Sequence, residues 1–98
     1  MTRVAAALAL LMGLAGPAAA EEARALFDQR CAVCHGKDGK GSPAGVKLGA
    51  KDLSATRLSA AEVEKVVSGG RGKMAAYQGK LTAEQIATLA RFVKGGLK

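Results

Sequence analysis

Three reactive side chains fall within five residues: Cys31-Ala32-Val33-Cys34-His35. On a helical turn, positions i, i+3 and i+4 share one face. Cys31, Cys34 and His35 would then point the same way. Two thiols at this spacing suit covalent bonds to the two vinyl groups of a c-type haem, and the adjacent imidazole suits the iron as proximal ligand. What a haem needs therefore constrains the rest of the chain.

Met1 to Ala20 carries one charge, Arg3, then an apolar run from Val4 to Leu14 and a small-residue end, Gly16-Pro17-Ala18-Ala19-Ala20. This pattern predicts a secretory leader cleaved after Ala20. The competing reading, a membrane anchor, asks for a span of about 20 apolar residues, longer than this run. Cleavage would leave a single domain over residues 21–98, exported to the periplasm, with no stable membrane anchor. A chain of that size rarely buries enough apolar surface by itself. Its only aromatics are Phe27, Tyr77 and Phe92. A disulfide across C-x-x-C closes too short a loop to restrain much. A buried haem would supply the missing apolar centre.

The full sequence carries 15 basic and 8 acidic residues, a net charge of +7. Such a balance attracts acidic partners or anionic surfaces. Export and the scarcity of stacking aromatics argue against nucleic acid.

Three helices are predicted, separated by glycine-rich segments, with no sustained strand pattern. The first spans about Glu22 to Arg30 and places Ala23, Leu26 and Phe27 on an apolar stripe. Residues Gly36 to Gly45 read as loop. Pro43 there has two readings: a plain turn proline, or a residue that fixes a carbonyl to accept the imidazole N–H of His35. Leu48 and Leu53 are the expected inward side chains of this region. The second helix opens on a capping box, Ser59 with Glu62, stapled by Leu58 and Val63, and ends at Gly69-Gly70. Val63, Val66 and Val67 form its buried face. The last helix repeats the pattern with Thr82, Gln85, Leu81 and Ile86. Ile86, Leu89, Ala90 and Val93 recur at helical spacing, and Lys94-Gly95-Gly96 marks its end.

A haem iron held by His35 leaves one axial position. There is no second histidine. Met1 and Met12 lie in the leader, so Met74 is the only methionine of residues 21–98. It sits in the polar, glycine-flanked segment Arg71 to Lys80. It is the candidate distal ligand; ordinary core filling is the other common fate of methionine. For the cysteines, a thioredoxin-like pair would need a βαβ context and structural zinc would need four ligands. A simple exported disulfide gives His35 no role.

The chain resembles small class I cytochromes c of the soluble bacterial and photosynthetic type. The resemblance covers residues 21–98. It is carried by Ala25-Leu26-Phe27 and Gly36 to Gly41 flanking the C-x-x-C-H motif, and by Gly72-Lys73-Met74-Ala75-Ala76-Tyr77-Gln78-Gly79-Lys80-Leu81. It implies an all-α fold of three main helices and glycine-rich loops around one covalent haem c. Family members usually carry proline where Ala75 stands. Ala23 takes the place of the family's glycine at the crossing of first and last helices. Phe92 would pack at that crossing and Tyr77 near the haem. The implied function is one-electron transfer with His35 and Met74 as iron ligands, and no catalysis on a substrate. A sensor or small peroxidase with an open distal site is the alternative. A monomer is expected. Lys37, Lys40, Lys47, Lys51, Arg71, Lys73 and Lys80 flank the two haem-contacting segments. They form either a docking rim for an acidic redox partner or a solvated basic surface.

Overall fold

The computed structural model describes residues 17–98. The predicted leader falls, for residues 1–16, outside them. The described residues form α1 (Pro17–Arg30), α2 (Ala32–His35), α3 (Pro43–Lys47), a 3₁₀ turn (Leu53–Ala55), α4 (Ala60–Gly69) and α5 (Ala83–Lys94). No strand occurs among them, only the isolated bridges Arg71–Met74 and Gln78–Leu81. The all-α expectation therefore holds.

Both capping boxes form as the sequence predicts. Ser59 Oγ accepts from Glu62 N at 3.1 Å, and Ser59 N donates to Glu62 Oε1 at 2.9 Å. Thr82 and Gln85 make the same pair at 3.0 and 2.8 Å. After α5, Gly96 N donates to Val93 O and Leu97 N donates to Phe92 O, the paired bonds of a Schellman motif. Gly96 adopts a positive φ of 82°, which an L side chain would resist.

Two expectations are corrected. The first helix extends upstream of Glu22 and takes in every described residue from Pro17, because the alanines of residues 18–20 are strong helix formers. The glycine-rich segment is not all loop. Ser42 caps α3, with Oγ accepting from Gly45 N at 3.0 Å, and Pro43 occupies the first helical turn, where its missing N–H costs nothing.

The core lies where α1 and α4 pack on α5. Ala23 is buried there, as its small size predicts, and Phe27 and Phe92 meet at 5.7 Å between ring centroids, tilted by 55°. Val63, Val67, Leu81, Ile86, Leu89, Ala90, Val93 and Leu97 complete the cluster. Phe27 and Leu89 are fully buried, each worth about 1.5–3 kcal/mol of transfer free energy. Phe27, Val63, Val67, Leu89 and Val93 of this core also form one wall of a large cavity.

Candidate haem site

The C-x-x-C-H motif forms the helical turn that its spacing predicts. Cys31 N continues α1 by donating to Phe27 O at 2.8 Å. Cys34 N and His35 N both donate to Cys31 O, at 3.2 and 2.9 Å. Cys31, Cys34 and His35 all line one cavity of about 660 Å³. Both thiols are free. Burial pushes the Cys31 thiol up to about 11, so it stays protonated at neutral pH.

His35 Nδ1 lies 3.1 Å from Lys51 O. A carbonyl can only accept, so the proton belongs on Nδ1, which leaves the Nε2 lone pair free for a metal. The carbonyl facing His35 is thus that of Lys51. This corrects the reading that gave the role to a carbonyl fixed by Pro43; Pro43 starts α3 instead. Asp52 anchors the Lys51 peptide from its C-terminal side: Asp52 Oδ1 accepts from Ser54 N at 2.9 Å and from Ser54 Oγ at 2.6 Å.

Behind the motif, α3 sits directly on its backbone. Ser42 N donates to Cys34 O at 3.0 Å, Ser42 Oγ donates to Val33 O at 2.7 Å, and Gly41 N donates to His35 O at 2.6 Å. Gly45 is buried against Cys34.

The segment carrying Met74 forms the opposite wall. Met74 N donates to Arg71 O at 2.9 Å, closing a tight turn in which Gly72 has a φ of 56°. Tyr77 N and Gln78 N donate to Val67 O and Ser68 O, tying the segment to the end of α4. A β-carbon on Gly70 would fall 2.7 Å from Met74 O, so the turn closes down on Gly70. Tyr77 Oη crosses to the other wall and donates to Arg30 O at 3.0 Å. Burial raises the Tyr77 hydroxyl above its ordinary value, with the neighbouring Cys31 adding to it. Met74 lines the same cavity as His35.

Between the walls the lining is mainly apolar: Phe27, Leu53, Leu58, Val63, Val66, Val67, Leu89 and Val93. Leu48 and Val33 belong to it but are 48% and 71% exposed, so they stand at the mouth. Leu48 is thus less inward than expected. Of the seven basic residues expected around the haem, Lys51, Arg71 and Lys73 line the cavity. Arg30 joins them. Asp52 is the one carboxylate of the lining, held below its usual range first by the Ser54 hydroxyl. Lys37, Lys40, Lys47 and Lys80 lie away from it. A second, more open cleft of about 370 Å³ beside Glu64, Ser68 and Gln78 contains no sulfur or imidazole ligand.

A cavity of this size falls within the roughly 300–1,000 Å³ of cofactor sites. Its donors, two thiols, one imidazole and one thioether around apolar walls, fit a haem. No group of three or more His, Cys, Asp or Glu able to hold a bare metal ion occurs among the described residues. Sequence reasoning missed Gly45, Gly70, Arg30 and the Lys51 carbonyl. The first two carry no side-chain signal, and the last is a backbone atom.

A family model described as Cytochrome C oxidase, cbb3-type, subunit III matches residues 18–93. The chain belongs to this family. A curated relative, the Cbb3-type cytochrome c oxidase subunit CcoP of Azospirillum brasilense, is 34% identical over 82 residues, covering 78% of this chain. The chain spans only 28% of that relative's length. Among solved structures, the KustC0563 c-type cytochrome superposes with a TM-score of 0.71 at 28% identity, over 78% of this chain and 98% of that one. The chain is therefore a small c-type cytochrome domain of the electron-transfer type, with covalently bound haem c as its cofactor. No helix of the described residues is long and apolar enough to cross a membrane.

Proposed function

We propose that this cytochrome domain is a periplasmic one-electron carrier, exported by the leader at residues 1–20. Cys31 and Cys34 are its covalent anchors, His35 its proximal iron ligand and Met74 its distal ligand. The observation that carries this reading is the convergence of four residues on one apolar cavity. Cys31, Cys34 and His35 come from the turn after α1, and Met74 arrives from a separate segment beyond α4.

Bound haem supplies an iron that alternates between ferrous and ferric states. The chain does the rest. Lys51 O fixes the tautomer of His35 and raises its basicity, which favours the ferric state. The neutral thioether of Met74 and the apolar walls favour the ferrous state. If His35 and Met74 both hold the iron in either oxidation state, little would reorganise on electron transfer and no open position would be left for a substrate. The domain is accordingly a carrier and not an enzyme. Arg30, Lys51, Arg71 and Lys73 at the mouth suit acidic faces of redox protein partners, which approach beside the exposed Val33 and Leu48. Intact mass of protein co-expressed with a haem maturation system tests the anchors. The expected result is one haem adduct on a chain beginning at Glu21, lost when Cys31 and Cys34 are both replaced by alanine. A haem-free mass under the same conditions overturns the reading.

A further inference from the structure

One side chain outside the cavity touches three separate parts of the chain. Arg24 on α1 stands over the Phe92 ring, with its guanidinium carbon 4.9 Å from the ring centroid, and 6.0 Å from that of Phe27. Its Nη1 donates to Lys37 O at 3.0 Å and to Asp28 Oδ1 at 3.2 Å, and its Nη2 donates to Leu97 O at 2.9 Å. The ion pair with Asp28 is half-exposed and contributes little. The two carbonyl bonds are different in kind. They join α1 to the turn after His35 and to the segment after α5.

Leu97 makes this join rigid. It is the only non-glycine residue with positive φ among the described residues, at 66°. That conformation costs a leucine free energy unless its surroundings impose it. Here Leu97 is 7% exposed and packs onto Gly39, where a β-carbon would meet Leu97 Cδ1 at 2.5 Å and Leu53 Cβ at 3.3 Å. Gly39 O in turn accepts from Leu53 N at 2.7 Å. Leu53 lies two residues after Lys51, whose carbonyl faces His35 Nδ1. A continuous set of contacts thus runs from Arg24 and Leu97, through Gly39 and Leu53, to the hydrogen bond that orients the imidazole.

We propose that Arg24 and Leu97 are positioning residues for electron transfer: together they clamp the Gly36–Leu53 region and so set the strength of the His35–Lys51 hydrogen bond. This inference rests on His35 being the proximal ligand. Loosening the clamp lengthens that hydrogen bond, lowers the basicity of the imidazole and raises the reduction potential. A residue that only stabilises the fold would leave the potential unchanged.

The test uses ferrous holoprotein, with exchange of the His35 Nδ1 proton followed by NMR and the midpoint potential measured by redox titration. Arg24→Lys keeps the charge and loses the two-pronged grip; Leu97→Ala removes the packing on Gly39. Ile86→Ala, in the core but outside both this set of contacts and the haem cavity, serves as the control for lost stability. The expected result is Nδ1 exchange about fivefold faster, the factor a typical hydrogen bond carries, and a raised potential in both clamp variants but not in the control. Unchanged exchange and potential in the clamp variants, or equal changes in the control, overturns the clamp while His35 keeps the ring-current-shifted signals of a haem ligand. If those shifted signals are missing from the wild type, the proximal assignment falls and the clamp with it.

Discussion

Gly45 lies so close to Cys34 that a β-carbon on Gly45 would sit 2.7 Å from Cys34 Cα. The helix α3 is therefore seated on the backbone of the Cys31–His35 turn, and only glycine permits the seat. Gly45→Ala should force the two apart, at a cost of about 1–3 kcal/mol typical of overpacking. Denaturant unfolding of the holoprotein checks this. A change below about 0.5 kcal/mol would show that the seat is looser than the backbone geometry implies.

Ala75 follows Met74, where the resemblance to class I cytochromes c implies a stiffening proline. Other contacts hold the segment, and the Tyr77 hydroxyl is the one that spans to Arg30 O. Tyr77→Phe should cost about 1 kcal/mol and, with Met74 as the proposed distal ligand, let it leave the iron more readily. Cyanide should then bind the ferric variant faster than the wild type. Equal cyanide rates would mean that the Tyr77 bond does not restrain the distal wall.

The two capping boxes differ in one respect: Glu62 titrates and Gln85 does not. The backbone N–H of Ser59, then its hydroxyl, holds the Glu62 carboxyl below its ordinary value of 4.5. A carboxyl depressed on folding stabilises the protein above the unfolded value, and that contribution is lost as pH falls through the lower folded value. Acid should therefore weaken the start of α4 and spare that of α5. Hydrogen-exchange protection, corrected for intrinsic rate, should fall below pH 4.5 at the N–H groups of Ser59, Glu62 and Val63 and hold at those of Thr82, Gln85 and Ile86. In Glu62→Gln the fall at α4 should disappear. Parallel loss in both helices would contradict the assignment.

The basic mouth predicts salt-sensitive encounter with acidic partners. At physiological ionic strength the screening length is about 8 Å, so association should slow as salt rises. Lys73→Glu should slow it further at low salt, read by stopped-flow electron transfer. Salt-independent rates would assign docking to the apolar Val33 and Leu48 alone.

Much of this architecture was legible in residue order. The helix caps at Ser59 and Thr82 and the shared face of Cys31, Cys34 and His35 depend on local spacing, which sequence displays directly; Ala23 at the helix crossing came from the resemblance to class I cytochromes c. The seat under Cys34 and the carbonyl facing His35 did not show. Gly45 among many glycines has no distinguishing neighbour, and the Lys51 carbonyl is a backbone atom whose position depends on Asp52, Leu53 and Gly39. The Ser42-Pro43 start of α3 was written in the sequence as a cap followed by a first-turn proline, but the surrounding glycines masked it. Leu97 escaped notice because its burial is created by Gly39, far away in the chain.

The distal ligand is where the proposal is most exposed to test. In ferric protein, a methionine sulfur on haem iron gives a weak far-red charge-transfer band. That band should be present in the wild type and absent in Met74→Ala. The variant should also have a lower potential, by a measurable part of the ~0.8 V range that axial ligands span. A wild-type spectrum without the band, or a band that survives Met74→Ala, would contradict the His35–Met74 pairing across the iron.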